Sequence, residues 1–313
     1  MAGEAAFRPL GPDSLTWRYF GDWRNLLVVL WTGSMQNMHP TLGTAVEQHS
    51  QFFGERWQRV FRSFYPILGV VYDGAHARQT ALKVRGYHTD IRGNDDSGHE
   101  YHALAPDVFY WAHAVFFMTI IRFGDRFMGG IGEAERQQLF VEHVQWYRLY
   151  GLSMRPVPGS WDEFQSYWDH MCSEVLVENK ATRDVLNLTD LPRPRFLCAV
   201  PHGLWSPLWA LSARLLTWLT VGLYDPVIRE RLGVCWTGFD DRLHRAAGVV
   251  VHLVFRLLPH DRRFHPRARA GWRRSRGADA ALLESPARHL PGRPVQPRWT
   301  RWFRRAPEDC PKA

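Results

Sequence analysis

Apolar residues return every three to four positions along most of this chain, and strict alternation is rare, so the pattern predicts helices. One stripe runs through Leu139, Phe140, Val144, Tyr147 and Leu152. It opens after Gly132 with Glu133 and Glu135 in its first turn and stops in the 151–156 stretch, between Gly151 and Pro156. Ser160 followed by Glu163 forms a capping box, which predicts a helix from Trp161 to about Lys180. The stretch from Asp107 to Phe123 is almost continuously apolar and reads as a buried helix. The 196–223 segment is apolar enough to raise the question of a membrane span. Pro201, Pro207 and a central Arg214 argue instead for a pair of helices buried in or docked on the protein. No series of alternating segments joined by Asn-Gly or Asp-Gly turns is present, so the expected fold class is all-α.

A chain of 313 residues is long enough for one large core, and 45% hydrophobic residues exclude a disordered protein. Fifteen Trp and eighteen Phe supply material for a wide apolar cavity. Four cysteines lie far apart without a C-x-x-C, which excludes a disulfide framework, a Cys-rich zinc site and covalently attached haem. With no basic-then-apolar leader at the start, a cytoplasmic location is expected. The net charge is +8, and eight arginines stand against one acid, Asp261, between Arg256 and Arg276. No nucleic-acid motif or aromatic interleaving accompanies that run, so no nucleic-acid partner is expected. A solvated basic face is the expectation there, with peripheral contact to an anionic membrane as the alternative. Residues 278–313 hold six prolines and no apolar period, and disorder is expected.

Several reactions lack their signatures. There is no G-x-S-x-G, G-x-G-x-x-G, Walker loop or H-E-x-x-H, and no Glu is followed three residues later by His. Two short basic segments remain. If helical, Arg85, His88 and Arg92 share one face, an arrangement suited to an anionic iron cofactor: imidazole for the metal, guanidinium groups for carboxylates. Arg59, Arg62 and Ser63 likewise share a face. The bland alternatives are a solvated basic stripe with an ordinary His, and a Ser folded back on its own backbone.

Taken in order, the motifs are Met38-His39-Pro40 with 42–50; Arg59-x-x-Arg62-Ser63; Val84-Arg85-x-x-His88-x-x-Ile91-Arg92-Gly93; Tyr101-x-Ala103-x-x-Pro106; Trp111-x-His113; and 262–277. Together they resemble the MpaB/rubber-oxygenase family, over roughly Asn25 to Gly277. The resemblance implies a helical, globin-like core that binds haem b without covalent attachment and performs oxidative C=C chemistry with O₂ on hydrophobic, often isoprenoid, substrates. It implies His88 as the iron ligand, with Arg85, Arg92, His39 and His113 around the cofactor and His113 as the alternative ligand. Arg59, Arg62 and Ser63 would line the distal side, and Glu47 would take a proton from substrate. Arg62 stands where rubber-cleaving members carry a Lys able to bind iron; a protonated guanidinium offers no lone pair, so a closed, Lys-capped state is not expected.

These readings divide the chain into an N-terminal arm (1–20), a helical oxygenase-like domain (21–277) and a Pro/Arg-rich tail (278–313). The alternative function is a non-catalytic haem- or lipid-binding helical protein at a membrane surface.

Overall fold

The structure, a computed structural model, describes residues 7–49, 56–95, 97–188, 201–278 and 281–282, without the side chains of 56–62, 202 and 204. The expected tail therefore lies almost wholly outside the described residues. Among them the chain is all-α: fourteen α-helices and one short antiparallel hairpin.

The central element is α6 (Pro106–Phe127), buried along most of its length as its composition predicts. The short α1 (Leu15–Tyr19) and a 3₁₀ turn (Trp23–Val28) lie against it, as do α2 (Val29–Asn37) and α7 (Glu133–Arg148). The sequence places residues up to 20 in an arm; in the structure Trp17 and Phe20 are core residues. Buried Glu142 on α7 explains their attachment. Its carboxylate accepts the backbone N–H groups of Leu15 and Thr16 at 2.9 and 2.7 Å, satisfying orphan donors at the start of α1.

Two predicted elements differ in extent. The helix opened by Ser160 stops early: α8 covers Trp161–His170 and passes into one π turn (Met171–Val175). Leu176 must bury there, and Arg231 takes the carbonyls of Cys172 and Leu176, which ends the helical ladder. The chain resumes as α9 (Lys180–Leu186), capped by Asn179. Of the expected helix pair in 196–223, residues 196–200 lie outside the described ones; the rest holds one helix, α10 (His202–Val221), which carries Pro207 in its second turn. No helix among the described residues is long and apolar enough to cross a membrane.

The basic 256–276 run is not uniformly solvated. It comprises the end of α12 (Gly238–Arg256), α13 (His260–Arg263) and α14 (Pro266–Ser275), which follow α11 (Pro226–Arg231). Arg267 on α14 is buried and donates to Asp73 at 3.0 and 2.6 Å and to the Tyr65 carbonyl at 2.9 Å. Asp73 joins α4 (Arg56–Tyr72) to α5 (Ala77–Gly86) and also accepts the Thr80 hydroxyl at 2.7 Å. Gly69 makes room for this, because a Cβ there would run into the Arg267 guanidinium.

Removing one partner of this pair strands a buried charge. Asp73→Ala is expected to cost about 3–5 kcal/mol in urea unfolding, and Asp73→Leu combined with Arg267→Met clearly less; a single-variant loss below about 1 kcal/mol would contradict the assignment. Burial also holds several imidazoles neutral: desolvation pulls His113 and His265 down to about 3 and His143 well below its usual value. The unfolded chain binds protons that the folded one refuses, so this contribution is complete above pH ~6.5 and shrinks as pH falls toward 3. Unfolding free energy should drop by upward of about 2 kcal/mol between pH 7 and 5; a flat profile would refute the neutral-core reading.

Candidate functional site

The sequence motifs converge on the end of α5. That helix stops at Gly86, and residues 87–90 form a turn leading into β1 (Arg92–Asn94), which pairs with β2 (Glu100–His102). The single helical face drawn through Arg85, His88 and Arg92 is thereby corrected: Arg92 belongs to the hairpin and is exposed. After the turn the Ile91 carbonyl takes the Ala103 N–H at 2.9 Å, which starts the hairpin ladder. Arg85 still reaches inward, but its guanidinium donates to the carbonyls of Tyr150 and Gly151 at 3.4 and 3.1 Å, at the negative end of α7. Arg78 donates to the adjacent carbonyls of Arg148 and Leu149.

His88 is half-buried in the turn. Its Nδ1 lies 2.8 Å from the Val84 carbonyl, and its ring meets Phe109 of α6 edge-on at 5.6 Å. A carbonyl only accepts, so Nδ1 carries the proton and Nε2 carries the lone pair. A metal-binding histidine needs this tautomer, held by an acceptor behind the ring. The sequence alone left this acceptor unidentified; the four-residue spacing from Val84 to His88 is the one signal that could have found it.

The hairpin is clasped by the end of α3 (Pro40–His49). His49 reaches the Arg92 carbonyl at 3.2 Å, Gln48 donates to the Asn94 carbonyl at 2.8 Å, and the Tyr101 hydroxyl donates to Gln48 at 2.6 Å. Three separate motifs thus meet at one place. Gln48 was not among the expected site residues. Glu47 is exposed and turned the other way: its carboxylate accepts the Ala181 N–H at 2.9 Å, at the start of α9. His39, half-buried before α3, has its pKa lowered to about 4 by desolvation, against a smaller opposing effect of Asp107, and its Nδ1 lacks a hydrogen-bond partner among the described residues.

One expected residue parts company with this cluster, and two others have side chains outside the described ones. His113 lies one turn beyond Phe109 but packs against α7, stacked on His143 at 4.6 Å and edge-on to Trp146 at 4.8 Å. Its Nε2 sits 3.2 Å from the His143 carbonyl and so carries the proton, which takes that nitrogen out of contention as a ligand. On α4, Arg59 and Arg62 lie on the helix that packs beside α5, and their side chains are outside the described ones; Ser63 is exposed. A groove of about 410 Å³ between α10 and residues 234–236 is lined by none of these residues.

Among the described residues no three His, Cys, Asp or Glu side chains are placed to hold a metal ion together. The donor set at α5 is a single imidazole with its tautomer fixed, which fits a metal that brings its other ligands in a macrocycle. No curated relative and no solved structure matches the chain. The profile of one family does, over residues 17–253, from α1 into α12 and covering α3, α4, α5 and the hairpin. On that match this chain belongs to the family of the ER-bound oxygenase MpaB/B′ and rubber oxygenase, and carries its catalytic domain.

Proposed function

We propose that this protein is a haem b-dependent oxygenase acting with O₂ on the C=C bonds of a hydrophobic, isoprenoid- or lipid-like substrate, on a globin-like haem-binding core. The observation that carries the reading is the Val84 carbonyl behind His88, in a chain whose family profile is that of oxygenase catalytic domains.

His88 would hold the iron through Nε2. The hydrogen bond from Nδ1 to the Val84 carbonyl fixes the ring's orientation and raises its basicity as a ligand. Bound haem supplies O₂ activation, and the protein's contribution is placement, polarity and exclusion of water. Phe109, with Tyr147 and Tyr150 behind it, makes the wall beside His88 apolar. On the family resemblance Arg59, Arg62 and Ser63 of α4 would be the donors for the oxygen-binding side, where a guanidinium at position 62 would not itself ligate iron. Arg85 stabilises the end of α7 through the Tyr150 and Gly151 carbonyls, a positioning role for the segment that leads to His88. Glu47 is the weakest element as a proton acceptor, since it already caps α9. That favours the second reading, a haem-binding protein without turnover. A reducing, cytoplasmic compartment belongs to the same proposal: Cys172 and Cys235 are both free thiols.

Hemin added to the purified protein should give a Soret band. His88→Ala should weaken hemin binding at least tenfold, with partial rescue by free imidazole; an unchanged affinity would overturn the ligand assignment, and no Soret band with the parent protein would overturn the haem reading. Substrate-dependent O₂ uptake with polyprenyl compounds separates the oxygenase from the non-catalytic alternative.

A further inference from the structure

Helix α12 is apolar on two opposite faces, and the fold accounts for one of them. On the inner face His244 is fully buried, with Nε2 3.0 Å from the Leu219 carbonyl of α10. One turn on, Gly248 lies so close to Arg126 of α6 that a Cβ would collide with its backbone. At about 100° per residue, a second row runs along the opposite side: Phe239, Leu243, Ala246, Val250, Leu253 and Leu257, spaced alternately four and three residues apart. All six are exposed, Phe239 at 65% and Leu257 at 84%. An apolar surface of this extent is unusual on a protein with no partner, and points to an interaction site.

The charges beside the row decide the occupant. Arg242, Arg245 and Arg256 project from one flank of the same helix, and Arg262 follows; all four are exposed. The acids of α12 are committed elsewhere: Asp240 caps the helix through Thr237, and Asp241 pairs with Arg245. A second copy docked on α12 would meet a basic flank with no row of carboxylates to receive it. A bilayer with anionic headgroups satisfies both features, since an interfacial helix sinks its apolar face into the acyl boundary and sets arginines among the phosphates. We propose that the outer face of α12 docks this protein on an anionic phospholipid membrane, with α12 lying in the plane of the surface. The basic residues responsible are Arg242, Arg256 and Arg262, because Arg245 is paired with Asp241, and Arg267 and Arg274 are bound to Asp73 inside the fold.

This surface is independent of the haem reading, and each can fail without the other. The test is flotation of the full chain with vesicles of phosphatidylcholine alone, or with about 30% phosphatidylserine, at about 0.1 M and 0.5 M salt. Binding is expected to the anionic vesicles and to weaken at high salt. Leu253→Glu with Leu257→Glu, and separately Arg242→Glu with Arg256→Glu, should each lower partitioning at least tenfold. Val141→Glu, at an exposed position on α7, should leave it unchanged. Failure of the parent protein to float with anionic vesicles, or flotation of the Leu253→Glu/Leu257→Glu variant equal to the parent, would overturn the proposal. So would light scattering that finds a dimer dissolved by that variant without vesicle binding, an outcome assigning the face to a second copy.

Discussion

The buried contact between Asp73 and Arg267 fixes the geometry that everything else at the site uses. Asp73 sits where the chain turns from α4 into α5, so its carboxylate lies between the helix that carries Arg59, Arg62 and Ser63 and the helix that leads to His88. Thr80 ties it to α5, and Arg267, which also donates to the Tyr65 carbonyl, ties it to α4. Two helices joined by a short turn can pack at many crossing angles. A carboxylate that must satisfy donors from both sides, in a place without water, accepts far fewer. The cost of desolvating two charges is offset by the number of hydrogen bonds they make, and the return is a defined crossing rather than raw stability. That Arg267 comes from α14, beyond the matched family span, shows that residues after 253 help shape the oxygenase-family domain.

Much of this was legible in the sequence, and the failures have specific causes. The all-α class, the buried α6 and the start of α7 follow from apolar spacing and first-turn acids, which are local signals. The end of α8 was not legible, because Arg231, some sixty residues away, takes the carbonyls that would have continued the helix. Arg92 was misplaced for a related reason. After the turn at 87–90 the Ile91 carbonyl pairs with the Ala103 N–H across the hairpin, a non-local contact that holds Arg92 in a strand. The basic run after Arg256 was read as solvated because sequence shows charge and not burial. Arg267 is buried only because Asp73 waits for it nearly two hundred residues upstream.

At the site, sequence and structure inform each other unevenly. The motif order selected His88, but its chemistry rests on a backbone carbonyl, an atom every residue has and no motif can mark. What makes the Val84 oxygen special is that the helix stops just after it. The His88 N–H turns to the Arg85 carbonyl at 3.0 Å, so the Val84 carbonyl keeps only the Tyr87 N–H at 3.2 Å and has a lone pair for the His88 ring. The turn that removed Arg92 from the helical face is therefore the same event that gives His88 its acceptor. A straight helix through residue 92 would have aligned the three basic side chains and left the Val84 carbonyl to the backbone.

The comparison of His88 with His113 carries this one step further. Both imidazoles have one nitrogen against a carbonyl, so both tautomers are fixed, but in opposite senses. At His88 the proton lies on Nδ1, so in the neutral ring the lone pair falls on Nε2, the nitrogen farther from the backbone. At His113 the proton lies on Nε2, and the lone pair falls on Nδ1, close to the main chain and enclosed by His143 and Trp146. Reaching that nitrogen would require displacing core aromatics, each worth several kcal/mol of packing. The same residue type, once against the Phe109 ring and once a turn beyond Phe109 on α6, thus serves as a candidate ligand in one place and as core in the other. The difference is the direction in which a single hydrogen bond points.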